Sequence, residues 1–239
     1  MPDGQRGFSS DEMMTVAAAR QLRNHMVCFV GIGLPSAAAN LARTTSAPEC
    51  VLIYESGAIG AKPTRLPLSI GDGELADTAD AVVSLPEIFN YWLQGGRIDI
   101  GFLGAAQIDR TGNLNSTVIG PYERPTVRLP GAGGAPEIAR SSKEIIVIVR
   151  QSRRTFVEKL DFLTSVGART SAVITDLAIL RPDPVTRELM VASLHLGVSL
   201  EQVKAATGWS LRSAPDITVT PPPRPDELAA LRALSGVRG

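Results

Sequence analysis

The sequence predicts an α/β protein with a mainly parallel sheet covered by helices on both faces. Three observations carry that expectation. Short runs such as MVCFV (residues 26–30), VLIY (51–54) and IIVIV (145–149) are apolar at nearly every position, as strands buried on both faces are. Segments with helical spacing lie between them, and glycine-bearing turns join the two kinds of segment. A chain of 239 residues can bury a full core, so one domain is expected over residues 1–239, with 1–9 and 218–239 peripheral.

The elements follow in order. Residues 10–24 read as a helix: Ser10 and Asp11 are cap candidates, and Met14, Ala17, Ala18 and Leu22 keep helical spacing. His25 closes it, where a cation suits the helix dipole. After the strand at 26–30, GIGLPS (31–36) turns into AAANLAR (37–43), a helix of good helix formers. CVLIYESG (50–57) is a strand and its turn, and EIFNYWLQGG (87–96) a helix closed by glycines. IDIGFLGAAQID (98–109), EIIVIVR (144–150) and SAVITDLAIL (171–180) each read as a strand. Glycine, proline and polar residues dominate 111–134, which predicts an irregular connection or hairpin. Ser199 can cap a helix through 201–209, and the stiff TVTPPPRP (218–225) leads to a last helix at 226–234.

Composition narrows the function classes. Basic and acidic residues number 24 each, so no footprint for nucleic acid or an anionic membrane is present. Cys28 and Cys50 lie in or beside apolar runs and are expected to be inert buried thiols rather than a disulfide. Neither has a partner at metal-ligand spacing, so no metal site is expected. No apolar run reaches membrane-spanning length and the first residues lack a secretion-signal pattern, which predicts a soluble, cytoplasmic protein.

Few residues carry chemistry. GIGLPS resembles an anion-binding turn but is not GxGxxG, and a tight ligand-free connection reads equally well. In PGAGGAPEIA (130–139), Gly131, Gly133 and Gly134 leave backbone N–H groups uncovered, which suits an oxyanion. A tight turn before the next helix is an even alternative. His195 is expected to be structural, and Asp72 and Glu74 to be solvated acids on a glycine loop. Glu55 stands apart, at the C-terminal edge of a parallel strand, where such sheets bind ligands. It reads either as a nucleophile toward an activated carbonyl or as a rim carboxylate paired with a lysine or arginine.

YESGAIGAKP (54–63), WLQGGRIDIGFLGAAQIDRTGNLNSTVIG (92–120) and RLPGAGGAPEIA (128–139) together resemble the β subunit of class I coenzyme A transferases. The resemblance runs in order from EMMTVAAARQL (12–22) to SLHLGVSLEQVKAATGW (193–209). It implies the three-layer α/β fold of that family. It also implies that Glu55, in the E-[NS]-G motif with Ser56 and Gly57, is a nucleophile forming a glutamyl-CoA thioester through an acyl-glutamyl anhydride. Gly134, with Gly133 and Gly131 beside it, takes the place of the family's backbone oxyanion donor. Gln107, at the end of FLGAAQ (102–107), takes a substrate contact at the floor of the site. CoA enters as a thioester substrate and no cofactor is implied. The resemblance implies an α-type partner subunit, in a heterodimer or an α2β2 assembly, that completes the acid-binding pocket. Its nearest substrates are succinyl-CoA and 3-oxoadipate, in aromatic-compound catabolism. Glutaconate-type transfer, acyl-CoA hydrolysis on the same fold and a non-catalytic scaffold are the rivals. Two departures from the family pattern, His195-Leu196-Gly197 in place of HPG and a short link after residues 165–167, bear on loop shape away from Glu55.

Overall fold

The computed structural model describes residues 7–236, so residues 1–6 and 237–239 of the two segments expected to be peripheral lie outside the described residues. Packing groups the described residues into two compact units: residues 7–102 with 141–143 and 222–236, and residues 103–140 with 144–221.

In the first unit, helix α1 spans Ser10–Ala19. Its cap is Ser9 rather than Ser10 or Asp11: the Ser9 hydroxyl accepts from Glu12 N–H, and the Glu12 carboxylate accepts from Ser9 N–H. The helix is shorter than expected because its end tightens into three-residue bonds, Gln21 N–H to Ala18 and Leu22 N–H to Ala19. His25 therefore does not close the helix. It sits in a left-handed turn with φ of 67°, its Nε2 lying 3.1 Å from a Glu49 carboxylate oxygen. Strand β1 (Val27–Val30) leads into helix α2 (Leu34–Thr44), which starts at Gly33 and buries residues 36–42. Strand β2 (Val51–Tyr54), the short β3 (Ala58–Ile59), helix α3 (Gly73–Asp77) and β4 (Ala81–Val82) follow. The helix expected at 87–96 begins as α4 (Leu85–Glu87) and runs into a wider π-turn, Ile88–Leu93. Strand β5 (Ile100–Leu103) completes the order β5-β1-β2-β3-β4, with β5, β1 and β2 parallel and β3 and β4 antiparallel.

The second unit opens with two small antiparallel ladders. Strand β6 (Gln107–Ile108) pairs with β7 (Leu114–Asn115), and β8 (Val118–Ile119) with β9 (Val127–Arg128). These are the irregular hairpins expected between 111 and 134. The strand expected at 98–109 is thus two pieces, β5 and β6, interrupted at residues 104–106. Helix α5 (Ala135–Ser141), β10 (Glu144–Ile148) and β11 (Thr170–Ile174) come next. The run 171–180 folds as a hairpin rather than one strand, with β12 (Ala178–Pro182) turning back on β11. Thr175 makes the turn: its hydroxyl accepts from Leu177 and Ala178 N–H and donates to the Ala178 carbonyl. Strand β13 (Leu189–Leu194), helix α6 (Leu200–Ala205) and β14 (Arg212–Val219) close the unit in the order β14-β13-β12-β11-β10. Ser199 caps α6 as expected, through a reciprocal box with Gln202.

Helix α7 (Pro225–Leu234) belongs to the first unit, where Leu231 and Leu234 are buried. Arg20, just past α1, pairs with Glu227 at 2.6 Å, and Arg232 of α7 with Glu12 at 2.7 Å. The fold class is the expected α/β one, with parallel strands β5, β1 and β2 carrying the segment that matters most for chemistry.

Candidate active site

Glu55 is the first residue beyond β2. That strand lies parallel to β1 in the register Val27↔Val51 through Val30↔Tyr54, and Leu52, Ile53 and Tyr54 are fully buried. The chain turns at once: Gly57 N–H donates to the Tyr54 carbonyl at 3.0 Å, and Gly60 N–H to the Leu52 carbonyl at 2.8 Å. Gly57 has φ of 110°, and a Cβ there would collide with the Val83 carbonyl. Only glycine fits so tight a return. Glu55 is half-buried and Ser56 exposed, and among the described residues the Glu55 carboxylate has no hydrogen-bond or ion-pair partner. A carboxylate with free lone pairs at the end of a parallel strand is placed to meet a ligand.

Neighbouring charges are occupied. Lys62 pairs with Asp80. Asp72 caps α3 and takes two bonds of 3.0 Å from the Arg65 guanidinium, which holds its carboxyl below the usual range. Glu74 accepts from the Thr64 hydroxyl at 2.7 Å and pairs with Arg65 at 2.9 Å; the Thr64 bond leads in lowering its pKa. Their side chains are only 9% and 16% exposed, so the two acids brace a loop instead of standing solvated as expected, because Arg65, Thr64 and nearby backbone N–H groups take up their oxygens. Cys28 and Cys50 are free and buried, and burial pushes the Cys28 thiol well up and that of Cys50 to about 11. Such thiols are inert at neutral pH. Among the described residues no group of His, Cys, Asp and Glu could hold a metal ion.

The glycine loop belongs to the second unit. Gly131, with φ of 104°, donates to the Ser116 carbonyl at 3.0 Å, and its own carbonyl accepts from the Ser116 hydroxyl at 2.8 Å. Gly133 has φ of 49° and is exposed. Gly134 is buried and leads into α5, its carbonyl accepting from Ile138 N–H. No acceptor among the described residues takes the N–H of Gly133 or Gly134. Gln107 is 6% exposed, and its amide is largely committed. Nε2 donates to Asp161 at 3.0 Å, while Oε1 accepts from Asn115 Nδ2 at 2.8 Å and from Asp161 N–H at 3.1 Å. One Nε2 hydrogen is left for any other contact. Through Asn115 and Ser116, Gln107 and the glycine loop form one connected piece of the second unit. His195 is buried and its Nε2 donates to the Thr175 carbonyl at 2.8 Å, a structural bond.

Sequence reading missed a buried polar cluster behind β2, formed by Tyr54 with Ser36 and Asn40 of α2. The available signal was two polar residues four positions apart in an alanine-rich helix, a spacing that puts them on one face.

Residues 11–206 match the family described as Coenzyme A transferase. The chain is 62% identical to the B-type polypeptide of 3-oxoadipate CoA-transferase from Pseudomonas knackmussii, covering 95% of this chain and 93% of that one. It is 35% identical to the B-type polypeptide of glutaconate CoA-transferase from Acidaminococcus fermentans, over 85% and 84% of the two chains. The crystal structure of glutaconate coenzyme A-transferase from Acidaminococcus fermentans matches with a TM-score of 0.89 at 30% identity, over 96% of this chain and 95% of that one.

Proposed function

Because the chain belongs to the coenzyme A transferase family, as a β subunit, we propose that it moves CoA from succinyl-CoA to 3-oxoadipate with Glu55 as nucleophile. The observation that carries this reading is the placement of Glu55 after β2, half-buried, with no partner among the described residues to compete for its lone pairs.

The Glu55 carboxylate attacks the thioester carbonyl of the donor; the C–S bond breaks and the CoA thiolate leaves an acyl-glutamyl anhydride. The thiolate then attacks the glutamyl carbonyl, expelling succinate and forming a glutamyl-CoA thioester. The acceptor carboxylate attacks that thioester, and the released thiolate attacks the acceptor acyl carbonyl, regenerating Glu55. Anhydride and thioester keep the group-transfer potential throughout, so the route needs neither ATP nor a resident cofactor. Each addition creates an oxyanion. Gly134 N–H is assigned to it by the family motif, and its lack of an acceptor within its own unit supports that role. Gly131 shapes the loop through its paired bonds with Ser116, and Gly133 supplies the left-handed step before Gly134. Ser56 and Gly57 offer an exposed hydroxyl and a bare backbone beside the thioester, and Gln107 its one free N–H. An α-type chain in the cytoplasm completes the site, as one αβ pair or two.

Glu55→Gln, co-expressed with the α-type chain, should lower transfer by on the order of 10³-fold or more while the heteromer still assembles. Borohydride should trap CoA-dependent reduction of Glu55 in the wild type treated with succinyl-CoA alone. Unchanged turnover in the variant would sink the reading.

A further inference from the structure

Behind the Glu55 turn lies a polar cluster that the chemistry above does not use. Ser36, Asn40 and Tyr54 are 1%, 0% and 0% exposed. Asn40 Nδ2 donates to the Ser36 carbonyl at 2.9 Å and to Tyr54 Oη at 3.0 Å, and Ser36 Oγ lies 3.2 Å from Tyr54 Oη. A carbonyl only accepts, so the bond to Ser36 assigns the amide orientation of Asn40. With Asn40 donating to it, the Tyr54 hydroxyl turns its own proton toward Ser36 Oγ. Burial raises the pKa of that hydroxyl, which keeps it a donor. Asn40 Oδ1 is buried with no partner among the described residues. An apolar residue of similar shape would fill this space without that penalty, so packing alone gives no reason for an asparagine. One turn further along α2, Arg43 Nη2 donates to the Pro63 carbonyl at 3.0 Å. Helix α2 therefore grips the chain on both sides of residues 55–62: at Tyr54 before them and at Pro63 after.

We propose that Tyr54, held by Asn40 and Ser36, is a positioning residue that fixes the backbone leading into Glu55. The proposal rests on the reading of Glu55 as the nucleophile. A tyrosine anchored at its ring tip cannot roll, so its Cα and the peptide it shares with Glu55 keep one orientation. A nucleophile that must reach a thioester carbonyl loses rate when its backbone is free to drift by an ångström.

The test uses the enzyme co-expressed with its α-type chain. Tyr54→Phe deletes the hydroxyl and takes one partner each from Asn40 Nδ2, which keeps its bond to the Ser36 carbonyl, and from Ser36 Oγ, which keeps Asn40 Nδ2 at 3.4 Å. Tyr54→Phe combined with Asn40→Leu removes the under-bonded amide as well. Melting temperature, donor KM and the rate of glutamyl-CoA thioester formation from donor alone are measured, with peptide mapping to locate the adduct. Tyr54→Phe should slow thioester formation roughly tenfold or more, with donor KM within about twofold of wild type. The double variant should recover melting temperature while its rate stays low. A rate unchanged in Tyr54→Phe, or one that recovers together with melting temperature, overturns the positioning role. Absence of an adduct on Glu55 in the wild type would instead remove the nucleophile on which the proposal rests, so the two failures are distinguishable.

Discussion

Gly57 shows how a single backbone position governs the site. Its φ of 110° and the nearness of the Val83 carbonyl leave no room for a side chain, and its N–H closes the turn on Tyr54. Gly57→Ala should destabilise the protein by about 1–3 kcal/mol, because the left-handed strain and the collision act together. The turn carrying Glu55 would shift, so thioester formation should fall more steeply than overall folding. Thermal melting and the rate of formation from donor alone, measured on one preparation, check this; a full-rate variant contradicts it. Glu55 and its glycines were legible from sequence because an apolar strand followed by E-S-G is a pattern within a few residues. The commitments of Gln107 were not, since its partner Asp161 lies 54 positions away.

At the scale of elements, α7 is docked on α1 by two ion pairs that respond to acid. Burial works against the Glu227 carboxylate, but bonds from Arg20 and Arg224 prevail and hold its pKa below the ordinary 4.5. The bond from Arg232 chiefly holds Glu12 below the same value. A carboxyl with a depressed folded pKa contributes stability that is present above 4.5 and lost as pH falls through the folded value. The docking of Pro225–Leu234 should therefore loosen below about pH 4.5 while β1, β2 and β5 stay ordered. Hydrogen exchange at pH 7 and pH 3.5 reads this directly; equal protection of α7 at both values would contradict it. Arg20→Met should move the onset to higher pH. The last helix was legible in sequence, whereas its seat against α1 was not, since Arg20 and Glu227 lie 207 positions apart. The hairpin in 171–180 also escaped, because a threonine can bend an apolar run that otherwise reads as one strand.

For the whole molecule, the chemistry belongs to a chain that is one of two. Purified alone it should show no transfer between succinyl-CoA and 3-oxoadipate, and activity should appear on mixing with its α-type chain. Light scattering on the active fraction gives the stoichiometry. Transfer should depend on the acceptor, and CoA release that proceeds equally without 3-oxoadipate would move the assignment to a hydrolase. With acceptors compared, kcat/KM for 3-oxoadipate should exceed that for glutaconate by roughly tenfold or more, the factor that one net hydrogen bond of about 1.4 kcal/mol supplies.

The order of residues alone specifies the strand–helix alternation, the position of Glu55 at the end of a buried strand, and the glycines that allow the turns around it. Those properties are local: hydrophobic period and tolerance of positive φ are written within a few neighbouring residues. It took folding in three dimensions to tie Tyr54 to Asn40 and Ser36, to set Asp72 and Glu74 bracing a loop, and to return α7 to α1. The contacts responsible join residues 14, 18 and as many as 207 positions apart, or depend on which of several nearby cations a carboxylate meets. Such pairings are settled by the packing of whole elements, and no window of the chain contains both partners of the longest of them.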